Sequence, residues 1–204
     1  MTAAELTVIE KWRQGLRNKA GEQIYPGGLP EGLERFWWLW LTGRPGEGRS
    51  LISRFAKDFG AYMAFEDGPG PGYSPLDFDF EQEPQRLAAM AEIYNADRPD
   101  LTEFIAAGGK MIVWHGWADA IVTPYKTIDW YEKPAANTGG EAALRKNIRL
   151  FMITGLGHCG VLPGANGIGE KSLNLLEALE DWVEKDIAPQ TILKPGARRR
   201  SRDT

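Results

Sequence analysis

Two continuous apolar runs constrain this chain more than any other feature: Lys110-Met111-Ile112-Val113-Trp114, and Ile148 to Ile153. Such runs form parallel strands covered on both faces. A short helix from Leu101 to Ala106, ending at Gly108-Gly109, precedes the first run. A helix opened by Thr123-Pro124 and reaching about Glu132 lies between the runs. A last helix, roughly Glu170 to Lys185, carries Leu175, Leu179 and Trp182 on one stripe. The order helix–strand–helix–strand–helix implies right-handed βα units and an α/β fold with a parallel sheet. Two parallel strands cannot cover both their faces and both their edges. The chain is therefore expected to be the closing part of a larger sheet, or to pair with something that supplies the rest.

The pattern before residue 83 is different. Thr2-Ala3-Ala4-Glu5 is a capping box, and Leu6, Ile9, Trp12 and Leu16 recur behind it at helical spacing. Phe36-Trp37-Trp38-Leu39-Trp40-Leu41 reads as a buried or groove-lining segment. Ser50 caps a helix over about 51–64 with Leu51, Phe55 and Phe59 on one face. Asp67 to Pro75 is a proline–glycine loop that supports neither helix nor ladder. Pro84 suits a first helical position, followed by a stripe of Leu87, Met90, Ala91 and Tyr94, and Asp97-Arg98-Pro99-Asp100 is a break.

Composition narrows the function classes. The 204 residues carry 24 basic and 28 acidic side chains, a net charge of −4, so broad electrostatic capture of nucleic acid is not expected. No apolar run is long enough for a membrane span, and Met1 to Trp12 has no apolar signal region. One cysteine excludes an internal disulfide and a cysteine-cluster metal site, and two histidines leave little room for a His-rich one. Eight tryptophans can serve as core or as a stacking surface for an aromatic ligand. The run Arg198-Arg199-Arg200-Ser201-Arg202 reads as a solvated, disordered basic tail over 194–204.

Asp119 and His158 sit just past the carboxyl ends of the two expected strands, where open α/β sheets place their ligands. An acid after one strand and a histidine after the next follow the chain order Ser…Asp…His of the α/β-hydrolase triad. There the histidine takes the nucleophile's proton, and the carboxylate holds its tautomer. The plainer alternative is a turn aspartate and a satisfied polar histidine. His115 is a rival base or a strand-end histidine bonded to backbone; a hydrolase histidine follows its acid, and His115 precedes Asp119. Gly155, Gly157 and Gly160 match G-x-G-x-x-G, but Val161 to Gly167 cannot form the helical turn that a dinucleotide site needs.

None of Ser50, Ser53, Ser74, Ser172 and Ser201 lies in G-x-S-x-G or a strand–turn–helix elbow. Cys159 is the neighbour of His158, and adjacent side chains in an extended loop point apart, so a productive contact between them is not expected.

Three stretches carry a resemblance: Trp114-His115-Gly116-Trp117-Ala118-Asp119, Gly155-Leu156-Gly157-His158-Cys159-Gly160 and Leu179-Glu180-Asp181-Trp182-Val183-Glu184. Gln23-Ile24-Tyr25-Pro26-Gly27, Trp40-Leu41-Thr42-Gly43 and Asp77-Phe78-Asp79 support it. With these the chain resembles the tannase/feruloyl esterase family from about residue 2 to 193, and covers the C-terminal part of a family member.

The resemblance implies a serine-type carboxylic ester hydrolase acting on esters of plant phenolic acids, an α/β-hydrolase with a large lid inserted in its sheet. Residues 1–82 would be a partial lid segment and 83–193 the C-terminal part of the hydrolase core. Asp119 and His158 match the acid and base of the triad. Cys159 matches the cysteine that in the family bonds to a cysteine beside the nucleophilic serine; that partner is absent here. Tryptophans of the lid segment are candidates for an aromatic acyl pocket, with core packing as the alternative role. The departures are the Gly-Cys-Ser-x-Gly-Gly nucleophile turn, the oxyanion-hole segment, the early strands and the lid's calcium loop, none of which occurs in these residues. No cofactor or metal is therefore expected.

Without nucleophile and oxyanion donors, triad-type acyl transfer has no route, so the chain alone is expected to be inactive. The alternatives are a non-catalytic remnant that binds aromatic ligands or a partner chain, and a complex with a separate chain that supplies the nucleophile. The family implies a secreted or periplasmic protein, with any export signal upstream of residue 1.

Overall fold

The computed structural model describes residues 1–44, 46, 50–158 and 169–194. The chain forms two compact units, Met1–Arg98 and Pro99–Thr204.

In the first unit, α1 (Ala3–Gln14) opens on the capping box. Oγ1 of Thr2 accepts from the Glu5 amide at 3.2 Å, and Oε2 of Glu5 accepts from the Thr2 amide at 2.6 Å. The helix stops at Gly15, whose φ of 79° turns the chain back so closely on the Gly27 carbonyl that a Cβ would collide with it. The tryptophan-rich segment is a 3₁₀ turn, Glu34–Phe36, followed by the short helix α2 (Trp37–Trp40). Trp12 of α1 meets Trp37 edge to face, with ring centres 5.5 Å apart. Next comes α3 (Leu51–Tyr62), capped by Ser50 and covering the expected helix to within two residues. Its Phe55 and Phe59 are about half exposed, whereas Gly60 and Ala61 are buried. Gly60 lies under the Tyr73 ring, which leaves no space for a side chain there. The helical stripe after Pro84 is split into α4 (Glu83–Arg86) and α5 (Ala88–Tyr94).

In the second unit, α6 (Thr102–Ala106) leads into β1 (Met111–Ala118), α7 (Pro124–Asn137), the short α8 (Glu141–Leu144), β2 (Ile148–Gly157), a 3₁₀ turn at Glu170–Ser172 and α9 (Leu175–Lys185). The two strands pair in parallel, from Met111 opposite Ile148 to Gly116 opposite Ile153. Both outrun their apolar cores. The sequence placed loops at His115–Asp119 and Gly155–Gly160, but pairing extends β1 to Ala118 and β2 to Gly157. The last stretch is irregular: Ala118 pairs with Gly157, so three residues of β2 stand against Trp117 alone. Gly155 absorbs the bulge with a φ of 76°.

The pleat sends alternate residues to opposite faces. Met111, Val113, Ile148 and Leu150 pack with Tyr131 and Trp130 of α7 and Leu144 of α8. Ile112, Trp114, Phe151 and Ile153 pack with Leu156, Leu173, Leu175 and Ile192. Trp182 of α9 is 1% exposed, and the Arg149 guanidinium lies 5.4 Å from its ring centre. Both faces of the apolar runs thus carry packed side chains, but only Ile148 and Ile153 among them are buried, and Met111 to Trp114 are half-buried. Among the described residues, no helix is long and apolar enough to cross a membrane.

Candidate active site

The bulge in β2 brings the ends of the two strands together. Beside it, Gly116 passes so close to the Leu156 carbonyl that a Cβ on it would collide with that oxygen. This approach explains why a glycine follows His115. Immediately beyond β1, the Asp119 amide donates to the Gly116 carbonyl at 3.2 Å. That turn directs the aspartate side chain inward, where it is 6% exposed. Trp117 meets Tyr125 edge to face, with ring centres 5.8 Å apart, and so ties the end of β1 to the first turn of α7.

Both carboxylate oxygens of Asp119 are engaged. Oδ1 accepts from the amides of Ile121 and Val122 at 3.0 and 2.9 Å. Oδ2 lies 2.7 Å from Nδ1 of His158 and 3.3 Å from Nε2 of His115. Burial pushes the carboxyl pKa up. The hydrogen bonds from His115, from the Val122 and Ile121 amides and from His158 outweigh it, so the pKa is held below its ordinary value. At neutral pH Asp119 is therefore an anion that can only accept. The proton in the 2.7 Å contact then belongs to Nδ1 of His158. In the neutral ring this leaves the lone pair on Nε2, the tautomer a general base requires. His158 is 24% exposed.

Of the residues named from sequence, Asp119 and His158 come together across the strand ends, 39 positions apart. His115 joins them. It sits within β1 with a side chain 12% exposed; Nδ1 is 2.7 Å from Oγ1 of Thr127, and Nε2 is 3.2 Å from the Val122 carbonyl. Cys159 and the basic tail beyond Lys194 lie outside the described residues. Thr127 was not singled out in the sequence. It is one turn into α7, and only the packing of that helix on β1 brings its hydroxyl to His115. The contact of His115 with Asp119 had one visible cue, a spacing of four across a strand end.

The sequence matches the family described as tannase and feruloyl esterase over residues 1–203. An uncharacterized esterase of Xanthomonas campestris pv. campestris is 31% identical over 226 residues, which cover 95% of this chain and 39% of that protein. A probable feruloyl esterase B-2 of Aspergillus terreus is 31% identical over 202 residues, 94% of this chain and 36% of the relative. The crystal structure of feruloyl esterase B from Aspergillus oryzae superposes with a TM-score of 0.72 at 22% identity, covering 97% of this chain and 40% of that one. The fold is accordingly that of the α/β-hydrolases of this group, and the chain spans 36–40% of the length of these proteins.

Proposed function

The chain belongs to the tannase and feruloyl esterase family, and on that premise we propose that it carries the Asp–His half of a serine-type hydrolase of phenolic-acid esters. Asp119 orients His158. Through Nε2, His158 takes the proton of a serine hydroxyl as the serine attacks the ester carbonyl. It then returns that proton to the departing alcohol oxygen, and the acyl-enzyme is hydrolysed by water in the reverse sense. The observation that carries this reading is the 2.7 Å contact between the buried carboxylate and the imidazole beyond the next strand.

The serine and the oxyanion donors come from sequence outside these 204 residues, in the same polypeptide or a separate chain. Residues 1–82 act as part of the lid, and within 83–193 the stretch from Pro99 onwards, which holds both strands, closes the catalytic sheet. The 204-residue chain alone does not turn over esters. Methyl ferulate tests the reading in two settings. The chain by itself releases no ferulate. A chimera in which residues 1–193 replace the matching stretch of the probable feruloyl esterase B-2 of Aspergillus terreus does, and loses that activity in His158→Ala. Turnover by the isolated chain, or by the chimera without His158, contradicts the assignment.

One observation favours a second reading, in which the chain binds aromatic ligands without chemistry. A groove of about 480 Å³ in the first unit is lined by Val8, Ile9, Trp12 and Trp37. Quenching of tryptophan fluorescence by a phenolic ester, with no product even in the chimera, supports that alternative.

A further inference from the structure

We propose that His115 is a positioning residue of this site: its Nε2–H is a second, fixed donor to Oδ2 of Asp119, so that two histidines hold opposite tautomers around one carboxylate oxygen. The inference deepens the esterase reading and rests on it.

An ionised Asp119 brings no proton, so each ring–carboxylate contact needs one from its ring. Nε2 of His115 faces two oxygens at once, Oδ2 of Asp119 at 3.3 Å and the Val122 carbonyl at 3.2 Å. A lone pair there would be directed at two acceptors, whereas one N–H serves both as a shared donor. The opposite nitrogen, Nδ1, is 2.7 Å from the Thr127 hydroxyl, a group able to donate to it. A neutral His115 with its proton on Nε2 therefore satisfies every contact. The other neutral tautomer leaves two unfavourable oxygen contacts in a side chain that is 12% exposed. His158 is the mirror case, with Nδ1 facing the carboxylate at 2.7 Å.

The arrangement pins the carboxylate at four points. Two amides hold Oδ1 and two imidazoles hold Oδ2, so the group cannot rotate away from His158. The second ring also draws charge from Oδ2 and moderates its pull on the His158 proton. Both nitrogens of His115 are engaged in this work, which removes it as a rival base.

These are the chain's two histidines, so the 204-residue protein labelled with ¹⁵N at histidine gives two ring systems and no others. At mildly alkaline pH, ring nitrogen shifts and N–H couplings should report His115 protonated on Nε2 and His158 on Nδ1. In His115→Phe, Oδ2 loses a competing donor, and the His158 Nδ1–H resonance should move downfield. His115→Gln, whose amide can still donate, should move it back towards the wild-type position. A packing role alone would not be rescued in this way.

His115 carrying its proton on Nδ1 alone overturns the inference, as does a His158 resonance unmoved in His115→Phe. If His115→Phe does not fold, the wild-type tautomers decide the question. Failure of the underlying reading looks different: His158 itself would be protonated on Nε2, facing away from Asp119.

Discussion

The carboxylate of Asp119 and the imidazole of His158, 39 positions apart in sequence, stand 2.7 Å apart beyond the ends of two adjacent parallel strands. Asp119→Asn keeps the shape but substitutes an amide for the anion that selects the Nδ1–H tautomer. In the ester-cleaving chimera, kcat on methyl ferulate should fall by about 10,000-fold, the scale known for this change in serine hydrolases.

Acid should destabilise the fold through the same group. The folded pKa of Asp119 lies below its unfolded value of about 3.9. Its stabilising contribution is thus complete above that value and is lost as pH falls through the lower folded one. Urea denaturation from pH 6 down to pH 2 should show a steeper loss in the wild type than in Asp119→Asn, most of the difference developing below about pH 4. Parallel curves would detach Asp119 from the acid limb.

Gly116→Ala places a methyl group against the Leu156 carbonyl, at the point where the β2 bulge presses on β1. The strands must separate locally, at a cost of about 1–3 kcal/mol in urea unfolding. The His158 Nδ1–H resonance should change with it, because the same contact sets the approach of the two strand ends.

Trp182→Ala tests the packing at the other end of the strands, where Lys110 and Arg149 lie over its ring. The ring is 1% exposed, with Arg149 over it. Its loss should cost about 3–5 kcal/mol. Thr2→Ala, at the α1 cap, should cost only about 1 kcal/mol. If the two variants proved equally harmful, the placement of the second unit's core around α9 would be wrong.

The elements legible in sequence were those with local causes. The α1 capping box, the Ser50 cap and the two apolar runs each state their structure within a few residues. The strand ends were not legible. His115 and Gly116 lack the apolar continuity of the runs, yet they pair with Met152 and Ile153, and Ala118 pairs with Gly157 beyond the bulge at Thr154-Gly155-Leu156. The exposure of Phe55 and Phe59 was equally hidden, since a helical stripe marks a face without saying what meets it. At the site, the order of Asp119 and His158 along the chain suggested their meeting. The part played by Thr127 depends on how α7 packs on β1, and no sequence spacing encodes that.

Hydrolysis of methyl ferulate by the chimera, compared with its Asp119→Asn and His158→Ala forms, tests the central claim most directly. The Asp–His assignment predicts ferulate release by the parent, about 10,000-fold slower release in Asp119→Asn and a loss at least as large in His158→Ala. Release at the parental rate in either variant would contradict it.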